Sequence, residues 1–507
     1  MGLVVKPLKP YTGPYSVATT DLELPVSSPS SFGHATLRKT GQPALQLDTI
    51  LVTLFYPANP HRYGSGEKQH WVQRPLGETA SGYARFLGKP VFVVKSLFFL
   101  FARNVRLPVE GDRPLAFKLD GKAAPMAGEK TDEKARMAHD STETLVGDDM
   151  AQGEFPLVIF SHGLSGTRTT YSQWCGEIAS RGYVVAAIEH RDGSGPISVV
   201  RLEDGKKRVV DYIKAEEHLD FPAPHPPVTA LQFRSSQLRM RLAEVEEVLT
   251  LVRRLNDGEG AAIAAENRRK DYGGEGVVGK WLAGWKGRIA MDELVMAGHS
   301  FGGATTIQVL RAGATHFPFV RGIALDPWAD PIPPAPSSPS LSSPTRTSTR
   351  ASDPAPTAAP SEDGEKSDVP LDIKVPLLVI NSESFTLWKV HYKLVRGIVE
   401  AIEGGKGWLM TMIGSIHTTF SDLPLLVPSM AKRSGARVPA PLATSRIVEA
   451  CREFLDGEGA RGEVLGMEVR EGDEQGARPG EGKKDGETPM EGEVGSFRMH
   501  VRGTEGA

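Results

Sequence analysis

The stretch DELVMAGHSFGGATT, residues 292–306, decides how the rest of the chain is interpreted. An apolar strand pattern, ELVMAG, runs into the turn GHSFGG at 298–303, and a helical pattern follows. Small residues two positions before and two after Ser300 let strand and helix approach closely around a strained turn, with the serine hydroxyl at the helix N-terminus. The pattern favours a nucleophile elbow over an ordinary turn serine. A nucleophilic Ser300 needs a base, an orienting acid and an oxyanion hole elsewhere in the chain.

Composition narrows the possible functions. The chain has 507 residues, of which 40% are apolar and 24% charged, with a net charge of −3. These values are ordinary for a globular protein and argue against a nucleic-acid partner. Cys175 and Cys451 have no spacing that suggests a disulfide framework or a zinc site, so we interpret both as free thiols. With no signal peptide or transmembrane helix recognised, this favours a cytoplasmic location.

Shifts in composition predict the domain organisation. Residues 331–368 alternate Pro and Ser with almost no large apolar side chain, and cannot bury enough surface to offset their ordering entropy. The same holds for the Gly- and Glu-rich tail, 457–507, and more weakly for 119–153. We therefore expect one α/β domain over residues 1–456 with two disordered inserts, followed by a disordered tail.

Short apolar runs alternate with helical patterns between these segments, which predicts a mostly parallel sheet flanked by helices. An earlier run, LDTILVTLFYP from Leu47, predicts an antiparallel strand, and helical spacing over 235–255 predicts a helix packed across the sheet. The predicted parallel strands are PLVIF (156–160), YVVAAIE (183–189), ELVMAG (293–298), RGIAL (321–325) and PLLVIN (376–381).

The expected chain order Ser, acid, His selects the partners of Ser300. Asp326 follows RGIAL at the carboxyl end of a strand, and Asp330 is its nearby competitor. His417 lies in a short loop after the apolar run GWLMTMI. Of the other downstream histidines, His391 lies in a helical pattern that we expect to be half-exposed, and His500 lies in the tail. We therefore predict Asp326 as the acid and His417 as the base.

An oxyanion hole needs two backbone N–H groups aimed at the developing negative charge. One is expected from Phe301, directly after Ser300, and the other from Leu164 in the loop SHGLSG that follows PLVIF. His162 in that loop precedes Ser300 in the chain, which violates the expected order. We interpret His162 as a brace for the loop.

Several separate motifs together resemble the plasma and type II platelet-activating factor acetylhydrolases, calcium-independent α/β-hydrolases with phospholipase A2 activity on short or oxidised acyl chains. The motifs are FSHGLSGTRTTYS, VVAAIEHRDGSG, AGHSFGGATTIQ, GIALDPW, LLVINSE and GSIHTTFSD. The resemblance implies an α/β-hydrolase fold, with Ser300, Asp326 and His417 as triad and Leu164 and Phe301 as oxyanion donors. It also implies a pocket role for Trp328. The insert at 331–368 and the tail depart from the family pattern.

The sequence also suggests how the chain meets its substrate. KPVFVVKSLFFLFARNV, residues 89–105, is too short to span a membrane, and we weigh a buried core helix against an amphipathic element that contacts lipid.

No residue cluster has metal-ligand spacing and no phosphate loop occurs, so no cofactor or metal is predicted. The expected reaction is hydrolysis of a phospholipid ester through an acyl-enzyme. A general carboxylesterase or lipase, and a non-catalytic scaffold, are the alternatives. The oligomeric state is not predicted.

Overall fold

A computed structural model describes residues 5–59, 68–118, 153–269, 279–333, 373–470 and 489–504. The insert predicted at 119–153 lies outside the described residues except for Gly153. The insert predicted at 331–368 lies outside them except for 331–333. The part of the predicted tail at 471–488 is also outside them.

The strands of the described part form one large sheet and two small ones. In chain order they are β1 (Ser16–Ser31), β2 (Thr36–Leu37), β3 (Gln46–Ala58), β4 (Glu110–Gly111), β5 (Phe155–Ser161), β6 (Val184–Ile188), β7 (Ile197–Arg201), β8 (Lys207–Asp211), β9 (Leu219–Asp220), β10 (Ile289–His299), β11 (Phe319–Leu325), β12 (Leu377–Ser382), β13 (Gly407–Met412) and β14 (Phe497–Val501). The large sheet has ten strands in the order β14-β13-β12-β11-β10-β5-β6-β3-β1-β4. The pairs β2-β9 and β7-β8 stand apart.

The centre of the large sheet is parallel, as predicted. Strands β6, β5, β10, β11, β12 and β13 pair in parallel, whereas β3 pairs antiparallel with both β1 and β6. The five predicted parallel strands and the antiparallel strand from Leu47 are therefore confirmed. Parallel strands covered on both faces carry continuous apolar runs, and these strands could therefore be predicted from the sequence. This is an α/β-hydrolase fold.

Helices cover both faces of the sheet. Their bounds are α1 (Leu76–Leu87), α2 (Val91–Leu97), α3 (Ser172–Ala179), α4 (Ala215–His218), α5 (Ala230–Asn256), α6 (Gly260–Glu266), α7 (Phe301–Arg311), α8 (Glu383–Leu387), α9 (Lys389–Glu400), α10 (Leu423–Leu426), α11 (Pro428–Arg433) and α12 (Ala440–Leu455). The helix predicted at 235–255 is confirmed as α5. It begins earlier because Thr229 and Gln232 form a capping box.

Alternation along β5 shows how the core is divided. Leu157 and Ile159 belong to one buried cluster, whereas Val158 and Phe160 belong to a second cluster on the opposite face. Successive side chains of a strand point to opposite faces. The sheet is thus buried on both sides, and its carboxyl edge is where the loops that carry polar side chains emerge.

The C-terminal part of the chain differs from the expected disordered tail. Residues 497–501 form β14, which pairs antiparallel with β13 at the edge of the large sheet. Met499 of β14 is buried in the second core cluster. This strand could not be predicted because the tail around it is rich in Gly and Glu. Its own five residues include only two apolar side chains besides Met499. Residues 497–501 are therefore part of the folded domain.

The segment predicted at 89–105 turns its apolar side chains outward. It consists of α2 and a π-helical turn, Phe98–Ala102, and the exposed fraction is 74% for Phe92, 54% for Phe99 and 69% for Leu100. Val94 is the buried residue of α2. The buried core helix, one of the two alternatives, is therefore wrong. None of the helices in the described residues has the length and apolarity needed to cross a membrane.

We predict that Met499→Ala lowers the free energy of unfolding by about 2–5 kcal/mol, because it removes a buried side chain from the core. Urea unfolding monitored by tryptophan fluorescence measures the change. Glu493→Ala, at an exposed position of the same segment, is the control and should change stability by less than about 0.5 kcal/mol. Equal stability of the two variants would contradict the pairing of β14.

Candidate active site

Ser300 lies in a strained turn between β10 and α7. Its backbone has φ 57° and ψ −118°, a conformation that a residue with a side chain rarely adopts. A Cβ at Gly302 would lie 1.9 Å from the carbonyl oxygen of Ser161, and one at Gly298 would lie 2.2 Å from the carbonyl oxygen of Gly302. Both positions therefore require glycine. This is the geometry of a nucleophile elbow.

The side chains of Ser300, His417 and Asp326 form a continuous hydrogen-bonded chain. The Oγ of Ser300 lies 2.8 Å from Nε2 of His417, and Nδ1 of His417 lies 2.7 Å from Oδ2 of Asp326. Asp326 is fully buried and also accepts hydrogen bonds from the backbone N–H and the hydroxyl of Ser382, at 2.6 and 2.7 Å. The structure thus brings together the three residues that the sequence selected, separated by up to 117 positions.

The competing residues are engaged elsewhere. Asp330 accepts a hydrogen bond from Nε1 of Trp328 at 2.8 Å. His391 is buried rather than half-exposed, because its Nε2 accepts from the backbone N–H of Ala329 and its ring stacks on Trp388. His500 lies in β14, with Nε2 2.8 Å from the hydroxyl of Thr411. None of these three bonds involves the Ser300 turn.

Phe301 and Leu164 both lie close to Ser300, and their role as oxyanion donors stays a prediction. Phe301 is the first residue of α7, so its N–H has no partner within the helix. The amides flanking Leu164 are bonded, Gly163 to the hydroxyl of Tyr171 and Ser165 to the carbonyl of Ser194. A Cβ at Gly163 would lie 2.8 Å from Cβ of Ser300, so the loop that carries Leu164 packs directly against the serine.

Buried histidines support the loop that carries Leu164. His162 Nδ1 lies 2.8 Å from the carbonyl of Gly163, and its Nε2 accepts from the backbone N–H of His190. Burial lowers the pKa of His162 to about 3, so the ring is neutral at pH 7. His190 in turn bonds the hydroxyl of Ser161 and the carboxyl of Glu244. The brace expected at His162 is thus part of a larger network.

Arg241 of α5 joins both sides of the candidate oxyanion hole, and sequence reasoning missed it. Its guanidinium donates to the carbonyl of His162 at 2.8 Å and lies 4.3 Å from the ring centroid of Phe301. It pairs with Asp192 at 2.8 Å, and all these groups are buried. A buried cation needs such a partner, since an isolated charge in the interior is costly. No signal in the sequence distinguishes Arg241 from the exposed arginines of α5.

Aromatic side chains surround the reactive groups. Phe385 stacks on His417 with centroids 4.2 Å apart and nearly parallel planes. Trp328 packs with Leu164 against Phe301, and its backbone N–H donates to the carbonyl of Ser300. Trp328 is partly buried, which fits a wall of the space beside Ser300. Its role in a substrate pocket stays a prediction.

One group of metal-ligand residue types occurs among the described residues, and it overlaps the candidate site. His299, Asp326 and His417 have donor atoms within 4.8 Å of one another. The nitrogens of His417 contact Asp326 and Ser300, and both nitrogens of His299 contact protein groups, so no lone pair of either ring points into a shared cavity. The arrangement suits proton transfer from the serine hydroxyl better than metal binding.

Comparison with known proteins gives a family model, two relatives and one solved structure. The family model described as platelet-activating factor acetylhydrolase, isoform II, matches residues 137–345, which include Ser300 and Asp326 and end before His417. The platelet-activating factor acetylhydrolase of Cavia porcellus is 28% identical over 63% of this chain and 55% of its own length. That of Canis lupus familiaris is 26% identical over 81% of this chain and 67% of its own length. The chain thus spans between about half and two thirds of the length of these relatives. A solved ferulic acid esterase from Streptomyces cinnamoneus has a TM-score of 0.45 and 18% identity, over 89% of this chain and 92% of that one.

We predict that His162→Asn lowers stability at pH 7.5, and that this difference from the wild type shrinks in acid. The pKa of folded His162 is about 3, below the unfolded value of roughly 6.5, so its stabilising contribution is complete above pH 6.5 and is lost as pH falls toward 3. Urea unfolding between pH 7.5 and 4.5 measures the difference. His218→Asn, at an exposed position, is the control and should change stability at pH 7.5 by less than about 0.5 kcal/mol. A difference that stays constant with pH would contradict a neutral His162.

Proposed function

We propose, since this chain belongs to the platelet-activating factor acetylhydrolase family, that it is a serine esterase that hydrolyses the sn-2 short or oxidised acyl chain of glycerophospholipids. The single observation that carries the proposal is the chain of hydrogen bonds from Ser300 through His417 to Asp326, at 2.8 and 2.7 Å. A serine hydroxyl is a weak nucleophile at neutral pH, and such a chain is the standard means of activating it.

The proposed reaction has two steps. Ser300 Oγ attacks the acyl carbonyl while His417 Nε2 takes the hydroxyl proton, and Asp326 stabilises the resulting imidazolium through Nδ1–H. The tetrahedral intermediate collapses, the ester C–O bond breaks, and His417 returns the proton to the departing lysophospholipid oxygen. Water then attacks the acyl-enzyme with His417 as base, which releases the fatty acid and restores Ser300.

The backbone N–H groups of Phe301 and Leu164 are proposed to hold the oxyanion of each tetrahedral intermediate. Losing one such donor typically costs about 2.7–4 kcal/mol of transition-state stabilisation. The Phe301 amide also lies at the N-terminus of α7, where the helix dipole favours negative charge. The proposed stabilisation therefore combines hydrogen bonding with a fixed electrostatic field.

Contact with a lipid surface is proposed for the exposed apolar segment, residues 91–102. Its side chains at Phe92, Phe99 and Leu100 are mostly exposed, and Lys95 and Arg103 flank them. Apolar side chains with adjacent cations fit the boundary between headgroups and acyl chains. The guanidinium of Arg103 lies 4.1 Å from the ring centroid of Phe99, so that cation is held beside the apolar surface. The cytoplasmic location predicted from the two cysteines stays a prediction.

We predict that purified protein hydrolyses acetyl and butyryl sn-2 glycerophospholipids at least about tenfold faster, in kcat/KM, than long-chain ones. We attribute this preference to the space available beside Ser300 for the acyl chain. Each added methylene by itself changes the binding free energy only modestly. A series of sn-2 acyl lengths measures it, with Ser300→Ala as the inactive control, which should also fail to label with a fluorophosphonate probe. Strong preference for long-chain triglyceride would favour a general lipase. Absence of both hydrolysis and labelling in the wild type would favour a non-catalytic scaffold.

We predict that the double variant Phe92→Ser/Leu100→Ser binds phospholipid vesicles at least about tenfold more weakly, because burying each such side chain is worth about 1.5–3 kcal/mol. Hydrolysis of a water-soluble short-chain ester should stay within about twofold of the wild type. Vesicle co-sedimentation and ester hydrolysis measure the two effects.

Val390→Ser is the matched control for the lipid-contact variant, since Val390 is an exposed apolar residue on α9. It should leave vesicle binding unchanged. If the double variant binds vesicles as the wild type does, residues 91–102 do not contact lipid.

A further inference from the structure

A second buried hydrogen-bond chain passes beneath Ser300 without using any triad side chain. The backbone N–H of Gly163 donates to the hydroxyl of Tyr171 at 3.3 Å, and that hydroxyl lies 2.8 Å from Nδ1 of His299. Nε2 of His299 lies 3.0 Å from the backbone carbonyl oxygen of His417. Tyr171 and His299 are both buried. The chain therefore joins the oxyanion loop to the loop that carries the candidate base.

Donors and acceptors along this chain permit one arrangement of protons. The Tyr171 hydroxyl accepts from Gly163, so its own proton goes to Nδ1 of His299. The carbonyl of His417 can only accept, so Nε2 of His299 carries the hydrogen. Burial lowers the pKa of His299 well below its usual value, and the nearby His417 lowers it further. Burial raises the pKa of Tyr171, so its hydroxyl stays protonated.

The ends of the chain are next to the groups that react. Gly163 directly precedes Leu164 and packs against Ser300, whereas His299 directly precedes Ser300 in the turn. The backbone carbonyl held by His299 belongs to the same residue as the imidazole that contacts Ser300 Oγ. A displacement at either end would change the distance between serine and base or the aim of the oxyanion donor.

We propose that Tyr171 and His299 are positioning residues, which fix the oxyanion loop and the His417 loop in register with Ser300. The inference rests on the proposed function. Neither side chain hydrogen-bonds a triad side chain, although the ring of His299 packs against the ring of His417 with centroids 4.6 Å apart. They act by holding Gly163 and the His417 backbone at fixed separation. Reaction rates are sensitive to such placement, since a shift of about 1 Å in a reacting group can reduce the rate about 100-fold.

Tyr171→Phe tests the proposal because it removes one hydroxyl and leaves the ring in place. Its kcat on a water-soluble short-chain ester should fall about 10- to 100-fold, with KM within about threefold of the wild type. Steady-state kinetics measures both. Thermal unfolding of the same preparation reports the loss of stability separately.

Tyr56→Phe is the matched control. Tyr56 is also buried, and its hydroxyl also accepts from a backbone N–H, that of Arg113 at 3.1 Å, while it donates to the Arg113 carbonyl at 2.7 Å. Both variants should lose comparable thermal stability, whereas Tyr56→Phe should keep kcat within about twofold of the wild type. A drop in kcat confined to Tyr171→Phe therefore separates positioning from general stability.

A second pair of variants tests the hydrogen bond between His299 and the His417 carbonyl. It keeps the proposal testable if Tyr171→Phe fails to fold. In His299→Gln the side-chain amide N–H can still donate to the His417 carbonyl, whereas His299→Leu has no donor. The Gln variant should retain at least about tenfold more kcat than the Leu variant, with similar KM.

The outcomes separate this inference from the proposed function. An active wild type, with Tyr171→Phe no slower than Tyr56→Phe or with equal kcat for the two His299 variants, overturns the positioning role alone. A wild type that hydrolyses no ester and binds no fluorophosphonate overturns the proposed function, and the positioning role with it.

Discussion

The close backbone approach at the Ser300 turn is the constraint on which the rest of the structure depends. Gly302 lies so near the carbonyl of Ser161 that a Cβ there would be 1.9 Å from its oxygen, so the end of β5 and the start of α7 meet without intervening side chains. The strained φ of Ser300 is held by bonds on both sides, from its own N–H to Leu325 and from the N–H of Trp328 to its carbonyl. These bonds place the Ser300 hydroxyl beside the loops that follow β5 and β11.

Next to that turn, buried polar side chains form a hydrogen-bonded network. Arg241, Asp192, His190 and Glu244 are all buried, and replacing such a network by apolar side chains is often neutral or stabilising in other proteins. Here the partners include the His162 carbonyl and the Phe301 ring, which belong to the two loops of the candidate oxyanion hole. Burial and the neighbouring Asp192 together raise the pKa of Glu244 to about 8, against the lowering effect of Arg191 and Arg241, so the acid can share a proton with neutral His190. The network holds loops that a purely apolar core could not orient by directional bonds.

The strands and the triad residues could be predicted because they follow local sequence patterns. Features that depend on contacts between distant residues could not. The apolar runs of β5, β6, β10, β11 and β12 were readable because both faces of the sheet are buried, and the order of motifs selected Ser300, Asp326 and His417. Arg241 carries no local signal, since its partners lie far along the chain, and the bond between Tyr171 and His299 joins residues 128 positions apart. β14 was not predicted because it lies in a polar tail and only Met499 among its five residues is buried. His391 was expected to be half-exposed because its partner, the Ala329 amide, is 62 positions away.

The exposed apolar segment shows how a surface element can be anchored without being buried. Trp71 donates its backbone N–H to the carbonyl of Val105, just after residues 91–102, and its indole N–H to Asp422 at 2.9 Å. Asp422 follows His417 by five positions and also accepts from the backbone of Ser172 and Gln173. Burial raises the pKa of Asp422 to about 7, and these donors oppose the rise by stabilising the ionised form. The base of the segment is thus bonded to the loop that carries His417, while its outward side chains pack against little of the protein. Polar substitution at those outward positions removes apolar surface from the proposed lipid contact and leaves the anchoring bonds in place.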